Sequence, residues 1–196
     1  MYHNLITEKS WQILKELKNK YNFILIGGWA VYLYTQNLKS KDIDLVISFD
    51  TLSKIKKDFD IVKNARLKKY EIKKDEIDID IYLEYYSKLA IPVEVIKKFA
   101  VKIEGFQVAS PELLLILKQA AYKDRENSVK GEKDKIDIVS LLFFAGINFD
   151  KYREILKKYS LSFDLKNLLK NFKNYNSLSF SPGKFKKIKS NLLLKI

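Results

Sequence analysis

One segment, residues 21–47 with the sequence YNFILIGGWAVYLYTQNLKSKDIDLVI, constrains the fold of this chain more than any other. It opens with the apolar residues 23–26, a run short enough for a buried strand. A Gly-Gly pair interrupts that strand and leads into a helix, which we expect over residues 29–36. A second strand is expected over residues 42–47. The segment therefore predicts a strand, a glycine turn, one helix and a further strand in succession.

The glycines Gly27 and Gly28 and the aspartates Asp42 and Asp44 are the candidate functional residues of this segment. A glycine turn at a helix N-terminus suits phosphate, because the backbone amides are free and the helix dipole is positive there. Side chains alternate across a strand, so both carboxylates are expected on one face. Two carboxylates beside a phosphate site suit Mg²⁺. Each feature alone also fits a plain turn or a solvated strand edge.

A third carboxylate is expected from the strand over residues 77–83, IDIDIYL, in which apolar and acidic residues alternate strictly. The isoleucines share one face, and Asp78 and Asp80 share the other. Alone, this pattern also fits a half-buried strand with a polar outer face. Position does not decide between the two aspartates as metal ligand. We favour Asp80, because a carboxylate deeper in the strand is the better base or metal ligand.

The composition narrows the partners of this 196-residue chain. Its net charge of +13 favours an anionic partner, usually nucleic acid, although a lysine-rich genome would give the same charge. There is no cysteine and one histidine, His3, so any catalytic metal is expected on carboxylates, as Mg²⁺ or Mn²⁺. No apolar run approaches the ~20 residues of a membrane span, and no signal peptide is evident. We therefore expect a cytoplasmic protein without a membrane partner.

A strand, a Gly-Gly turn, one helix and Asp-Ile-Asp at the mouth of an apolar strand resemble the nucleotidyltransferase superfamily, the DNA polymerase β-like fold. The resemblance covers roughly residues 20–145 and implies an α+β fold with a mixed sheet flanked by helices. GGWAVYLY looks most like the small-molecule and toxin-type branches. Trp29 replaces the usual serine, as in enzymes that modify aminoglycosides and lincosamides. We expect a nucleotidyltransferase domain over residues 1–146 and a helical C-terminal subdomain over residues 147–196.

The resemblance implies transfer of a nucleoside monophosphate from an NTP such as ATP to an acceptor hydroxyl, with release of pyrophosphate. Two Mg²⁺ would bridge Asp42, Asp44 and the triphosphate, and Asp80 or Asp78 would bind the catalytic metal and accept the hydroxyl proton. Phosphate contacts would come from backbone amides and from Ser40 or its neighbouring lysines. The acceptor stays open between an RNA end such as tRNA and a small molecule. A non-catalytic nucleic-acid-binding module, a cognate antitoxin and a homo-oligomer also stay open.

A later pair of helices carries a second candidate site. Ser110-Pro111-Glu112 starts a helix expected to run to about residue 125, followed by a polar loop over residues 126–133 and a helix over residues 134–145. The pairing of KQAAYKDR with EKDKIDIVSLL resembles a motif of abortive-infection (AbiEii) and related toxin nucleotidyltransferases. That resemblance implies that Lys118 holds the triphosphate and that Asp134 or Asp137 orients it. The alternative is an ion-pair network between two packed helices.

The chain ends in the basic stretch KFKKIKSNLLLKI, residues 184–196. It fits a last amphipathic helix, a nucleic-acid-binding arm or a frayed end. If the acceptor is RNA, these lysines are expected to contact phosphates.

Overall fold

The computed structural model describes residues 2–196, and their side chains from Leu5 onward. The side chain of His3 therefore lies outside the described residues. The strands are β1 (Ile24–Ile26), β2 (Ile43–Ile47), β3 (Val62–Asn64), β4 (Lys69–Lys74), β5 (Ile77–Leu83), β6 (Ala100–Ile103) and β7 (Phe106–Ala109). The helices are α1 (Tyr2–Lys20), α2 (Gly27–Thr35), α3 (Phe49–Ile55), α4 (Val93–Lys98), α5 (Pro111–Arg125), α6 (Val129–Phe144), α7 (Phe149–Lys158), α8 (Leu165–Asn171) and α9 (Pro182–Lys195), with a 3₁₀ turn at Tyr175–Leu178.

The chain forms two compact units, one ending at Ser110 and one over Pro111–Ile196. The first unit holds the seven-stranded mixed sheet with α1–α4, and the second is helical throughout the described residues. The predicted α+β class, with a mixed sheet flanked by helices and a helical C-terminal region, is confirmed. The predicted domain boundary after residue 146 falls shortly after α6, within the second unit, and stays a prediction. Over residues 2–196, no helix is long and apolar enough to cross a membrane.

The sheet has the strand order β3-β4-β5-β2-β1-β7-β6. At its centre, β1 runs antiparallel to β2, with Ile26 opposite Asp44. On the other side of β2, β5 runs parallel to it, with Asp44 opposite Asp80. The end of β1, the start of β2 and the middle of β5 therefore meet at one level of the sheet.

The period-two pattern of β2 and β5 separates a core face from a polar face. Ile43, Leu45, Ile79 and Ile81 are fully buried, whereas the intervening Asp44 and Asp80 are half-buried. The predicted alternation is therefore confirmed in both strands. It follows from the pleat, which sends successive side chains to opposite faces.

Helix α2 is buried, as its uniformly apolar sequence predicts. Trp29 is fully buried, and its indole Nε1 donates a hydrogen bond to Ser10 Oγ at 2.8 Å. The Trp29 ring also lies 4.9 Å from the ring of Trp11 in α1, measured between centroids. Trp29 is thus a core residue that fixes α1 to α2.

Helix α6 corrects the predicted loop over residues 126–133, because it begins at Val129. Ser128 caps it, with its Oγ accepting a hydrogen bond from the amide of Gly131 at 3.0 Å. A Cβ at Gly131 would lie 2.1 Å from the carbonyl oxygen of Arg125. Gly131 is therefore a close-packing position inside a helix, whereas the sequence alone made it look like a turn.

The basic C-terminal stretch forms α9, so of its three predicted forms the helix is the one observed. Phe185 is buried and stacks on Phe143 with ring centroids 5.2 Å apart. Lys189 Nζ donates hydrogen bonds to the carbonyl oxygens of Lys170 and Phe172 at 2.7 and 2.9 Å. Part of the charge of α9 therefore serves packing within the second unit.

Candidate functional site

The glycine turn lies directly against the aspartate strand. Gly27 opens α2 with φ +67°, and a Cβ at this position would lie 1.9 Å from Asp44 Oδ2. Only glycine satisfies both the backbone conformation and this contact. The N-cap residue is Ile26, whose side chain makes no capping hydrogen bond, so the first amides of α2 receive no side-chain cap from it. Such a helix start has the chemistry to bind an anion.

Three carboxylates lie around this turn. Asp44 pairs in register with Asp80, and Asp42 precedes β2 by one residue. Burial raises the pKa of Asp80, against the opposing effect of Lys69, and the negative charge of Asp42 adds to the rise. Asp78 is exposed and pairs with Lys73 of β4. The structure thus brings Asp80 next to Asp44 and leaves Asp78 at the surface.

The sequence analysis missed a lysine at this site. Lys69 Nζ lies 2.6 Å from Asp80 Oδ2 and 3.0 Å from Glu71 Oε1. Burial by itself lowers the pKa of Lys69, but the two carboxylates outweigh it and the net pKa is raised. The signal was present in the hairpin register, because Glu71 lies opposite Asp80 and Lys69 shares the face of Glu71.

The carboxylates have the oxygen ligands that Mg²⁺ and Mn²⁺ prefer. Among the described residues, however, no three Asp, Glu, His or Cys side chains are grouped so that they could hold one ion. The third predicted ligand, Asp80, is engaged by the Lys69 ammonium. The donor chemistry fits a divalent cation, while the arrangement is that of carboxylates already neutralised by a lysine.

The predicted phosphate contacts in the approach to β2 are partly engaged elsewhere. Lys39 forms an ion pair with Glu8, which raises the pKa of Lys39 through their hydrogen bond. Ser40 is buried. Gly28, the second residue of α2, is also buried. The roles of Ser40 and Gly28 towards nucleotide stay predictions.

Lys118 lies in the second unit, on α5. Its Nζ is 3.0 Å from Asp134 Oδ1 and 2.6 Å from Asp137 Oδ2, both on α6. Arg125 Nη2 adds a contact of 2.7 Å to Asp134 Oδ2. Burial lowers the pKa of Lys118, but the charges of Asp137 and Asp134 outweigh it and raise the pKa overall. The ion-pair network considered from the sequence is present, and the phosphate role of Lys118 stays a prediction.

A cavity of about 610 Å³ opens at the far end of the same central strands. It is lined by residues at the start of β1 and the end of β2, including Ile24 and Ile47. The candidate aspartates and the glycine turn lie at the other end of β2. The site is therefore an open polar edge of the sheet and not an enclosed pocket.

Comparison with known proteins identifies the fold. No family model and no curated protein matches the chain. A candidate nucleotidyltransferase from H. pylori is 18% identical, with a TM-score of 0.50 over 100% of this chain and 96% of that chain. The antibiotic-resistance factor ANT(2'')-Ia is 11% identical, with a TM-score of 0.56 over 82% of this chain and 93% of that chain. The family resemblance predicted from the sequence is thus confirmed in structure, and the chain has the nucleotidyltransferase fold.

Proposed function

We propose that this protein transfers a nucleoside monophosphate from an NTP to a hydroxyl group of an acceptor. The acceptor oxygen forms a bond to the α-phosphorus, the bond from that phosphorus to the bridging oxygen breaks, and pyrophosphate leaves. The observation that carries the proposal is the pairing of Asp44 with Asp80, with the Asp44 carboxylate held against Gly27 at the start of α2. This pairing places acidic groups beside a helix start suited to phosphate.

The glycine turn has the role of positioning the triphosphate. Backbone amides at Gly27 and Gly28 would donate hydrogen bonds to phosphate oxygens, helped by the positive end of the α2 dipole. The missing side chain at Gly27 allows this close approach. A fixed triphosphate presents the α-phosphorus to an in-line attack, so positioning supplies much of the rate.

Asp80 is our candidate for the group that accepts the proton of the attacking hydroxyl. Its pKa is raised by burial, which makes its carboxylate a stronger base than an exposed aspartate. Lys69 opposes this role while it is paired with Asp80. The proposal therefore requires Lys69 to withdraw when substrates bind.

Asp42, Asp44 and, once released by Lys69, Asp80 have the ligand chemistry for Mg²⁺ or Mn²⁺. When bound, such an ion would neutralise charge on the phosphates and the leaving pyrophosphate. The partners that this function requires are an NTP and an acceptor with a free hydroxyl. Because NTPs are cytoplasmic metabolites, we place the protein in the cytoplasm.

The test incubates the purified protein with each α-³²P-labelled NTP and Mg²⁺, with total cell RNA in one series and a small-molecule extract in another. We expect label in one acceptor fraction with the wild type and with Asp78→Asn. Asp44→Asn and Asp80→Asn should abolish transfer, and Asp80→Asn should still bind nucleotide. Asp78→Asn is the matched control, because it removes the same charge two residues away in β5. Transfer that survives Asp44→Asn, or equal mild losses in both β5 variants, would refute the assignment.

A further inference from the structure

The positive charge of the chain is concentrated on one part of the first unit. Residues 54–74 contain nine Lys or Arg and three Asp or Glu, a local charge of +6 out of a total of +13. This segment runs from the end of α3 through β3 and β4. Among the described side chains, Lys63, Arg66 and Lys68 form no ion pair, so their charge is not cancelled within the protein. They surround the β3–β4 turn.

Two of these cations are held over an aromatic ring. The ammonium groups of Lys63 and Lys68 lie 5.0 Å and 5.7 Å from the ring centroid of Tyr86. The Tyr86 ring in turn lies 5.4 Å from the ring of Tyr70. Cation–π contacts of this kind restrict flexible lysines. The β3–β4 turn therefore presents its charges on a common surface with aromatic rings.

The neighbouring residue Tyr85 is 87% exposed and has φ +58°. A left-handed backbone is uncommon for a bulky residue, and such strained positions concentrate at functional sites. An aromatic ring that faces water gains nothing from burial in the folded protein. The turn after β5 thus holds a free aromatic face next to Tyr86 and its two lysines.

We propose that the basic hairpin surface, formed by Lys63, Arg66, Lys68, Tyr85 and Tyr86, binds the single-stranded part of an RNA acceptor. The cations would contact phosphates, and Tyr85 would stack on an unpaired base. A base in a duplex is already stacked, so an exposed ring selects single strands. The inference rests on the proposed function and names its acceptor class.

The surface is continuous with the candidate site along the chain. Lys68 belongs to the hairpin surface, and the next residue, Lys69, contacts Asp80. An RNA held by the hairpin would therefore begin one residue away from the lysine that covers the proposed catalytic carboxylate. By contrast, Lys189 of α9 is occupied with backbone carbonyls of its own unit. This contrast favours the hairpin over the C-terminal basic stretch.

The test measures fluorescence anisotropy of a labelled oligouridine of about 20 nucleotides, longer than typical single-strand sites, on the full-length protein without NTP. The triple variant Lys63→Ser/Arg66→Ser/Lys68→Ser should flatten the log–log salt slope by about 2, at roughly 0.7 per phosphate contact. The matched control removes three exposed cations from α9, Lys184→Ser/Lys186→Ser/Lys187→Ser, and should change the slope much less.

A second variant tests stacking separately from charge. Tyr85→Asn removes the ring, while asparagine tolerates the left-handed backbone, so the turn should persist. We expect binding to weaken roughly 5- to 100-fold with an unchanged salt slope. Thermal melts of all variants check that they are folded. A Tyr85→Asn protein that binds as tightly as the wild type would overturn the proposal.

Equal slope changes in the two triple variants would also overturn it, since the binding would then follow net charge alone. So would equally tight binding of duplex RNA or of phosphatidylserine vesicles. Failure of the proposed function has a different signature: RNA binding stays dependent on the hairpin while no NTP label is transferred. In that case the RNA is a ligand of the fold and not its acceptor.

Discussion

Lys69 in the sheet unit and Lys118 in the helical unit are each held between two carboxylates. The lysines are similarly enclosed, with side chains 14% and 11% exposed. Their partners differ: Asp80 is 19% exposed, whereas Asp134 is 2% exposed. Water can therefore replace the lysine at Asp80 but cannot reach Asp134. The comparison teaches that burial of the carboxylate separates a displaceable ion pair from a structural one.

The energetic reason lies in desolvation. Removing one partner of a buried ion pair leaves an unpaired charge without water and costs about 3–5 kcal/mol. A pair that water reaches contributes much less, usually up to about 1 kcal/mol. On this basis Lys118 holds α5 to α6, and Lys69 shields a reactive carboxylate.

The largest effect is expected from Lys118→Met. The variant should unfold about 3–5 kcal/mol more easily, because Asp137 would keep its buried charge without a cation. That loss corresponds to a melting temperature lower by roughly 10 °C. Urea unfolding measures it, and Lys123→Met, an exposed lysine of the same helix, is the control. A loss below about 1 kcal/mol combined with weaker NTP binding would instead support the phosphate role of Lys118.

The double variant Lys118→Met/Asp137→Leu should recover most of that lost stability. It replaces the unpaired charge with apolar groups of similar size, and such replacements of buried ion pairs are often neutral. Asp134 keeps its contact with Arg125. Denaturant unfolding of the single and double variants gives the coupling between the two sites. Additive losses would show that the pair is not the source of the effect.

Lys69→Met should act on metal affinity rather than on stability. We expect unfolding to change by less than about 1 kcal/mol. Mn²⁺ should bind roughly tenfold more tightly, because the ammonium no longer competes for Asp80. Electron paramagnetic resonance titration of free Mn²⁺ measures this without any turnover, and Lys73→Met on the same strand is the comparison. Unchanged or weaker Mn²⁺ binding would count against displacement of Lys69.

The smallest effect concerns pH. The pKa of Lys118 is raised in the folded protein, so its stabilisation is complete below its ordinary pKa of 10.5 and declines as pH rises above that value. The stability difference between wild type and Lys118→Met should therefore be constant from about pH 7 to 10 and shrink by ~0.5 kcal/mol between about pH 10.5 and 11. Urea unfolding at each pH provides the measurement. A difference that already shrinks near neutral pH would contradict the ion pair.

Local patterns predicted much of the sheet. The alternation in β2 and β5 is a property of consecutive residues, so it placed Asp44 and Asp80 on polar faces without knowledge of the neighbouring strands. The family resemblance supplied the fold that joins these strands. The placement of Asp80 directly opposite Asp44 depends on a parallel register between strands far apart in sequence, which no local pattern determines.

The features that the sequence did not reveal depend on distant backbone. Lys69 reaches Asp80 only through the β4–β5 register, and a lysine at the start of a strand carries no sign of its partner. Gly131 looked like a turn residue, since glycine favours turns, but its reason is the approach of the Arg125 carbonyl. In both cases the determining contact comes from outside the residue's own element.

The central position of β1 has a consequence for how the sheet unfolds. Although it has only three residues, β1 pairs with β2 on one side and with β7 on the other, and so joins the two halves of the sheet. Leu25 and Ile26 are buried there. A short strand usually frays, but opening this one separates the sheet into two parts. Its amides should therefore exchange with deuterated water only through global unfolding, which makes the shortest central strand the slowest to exchange.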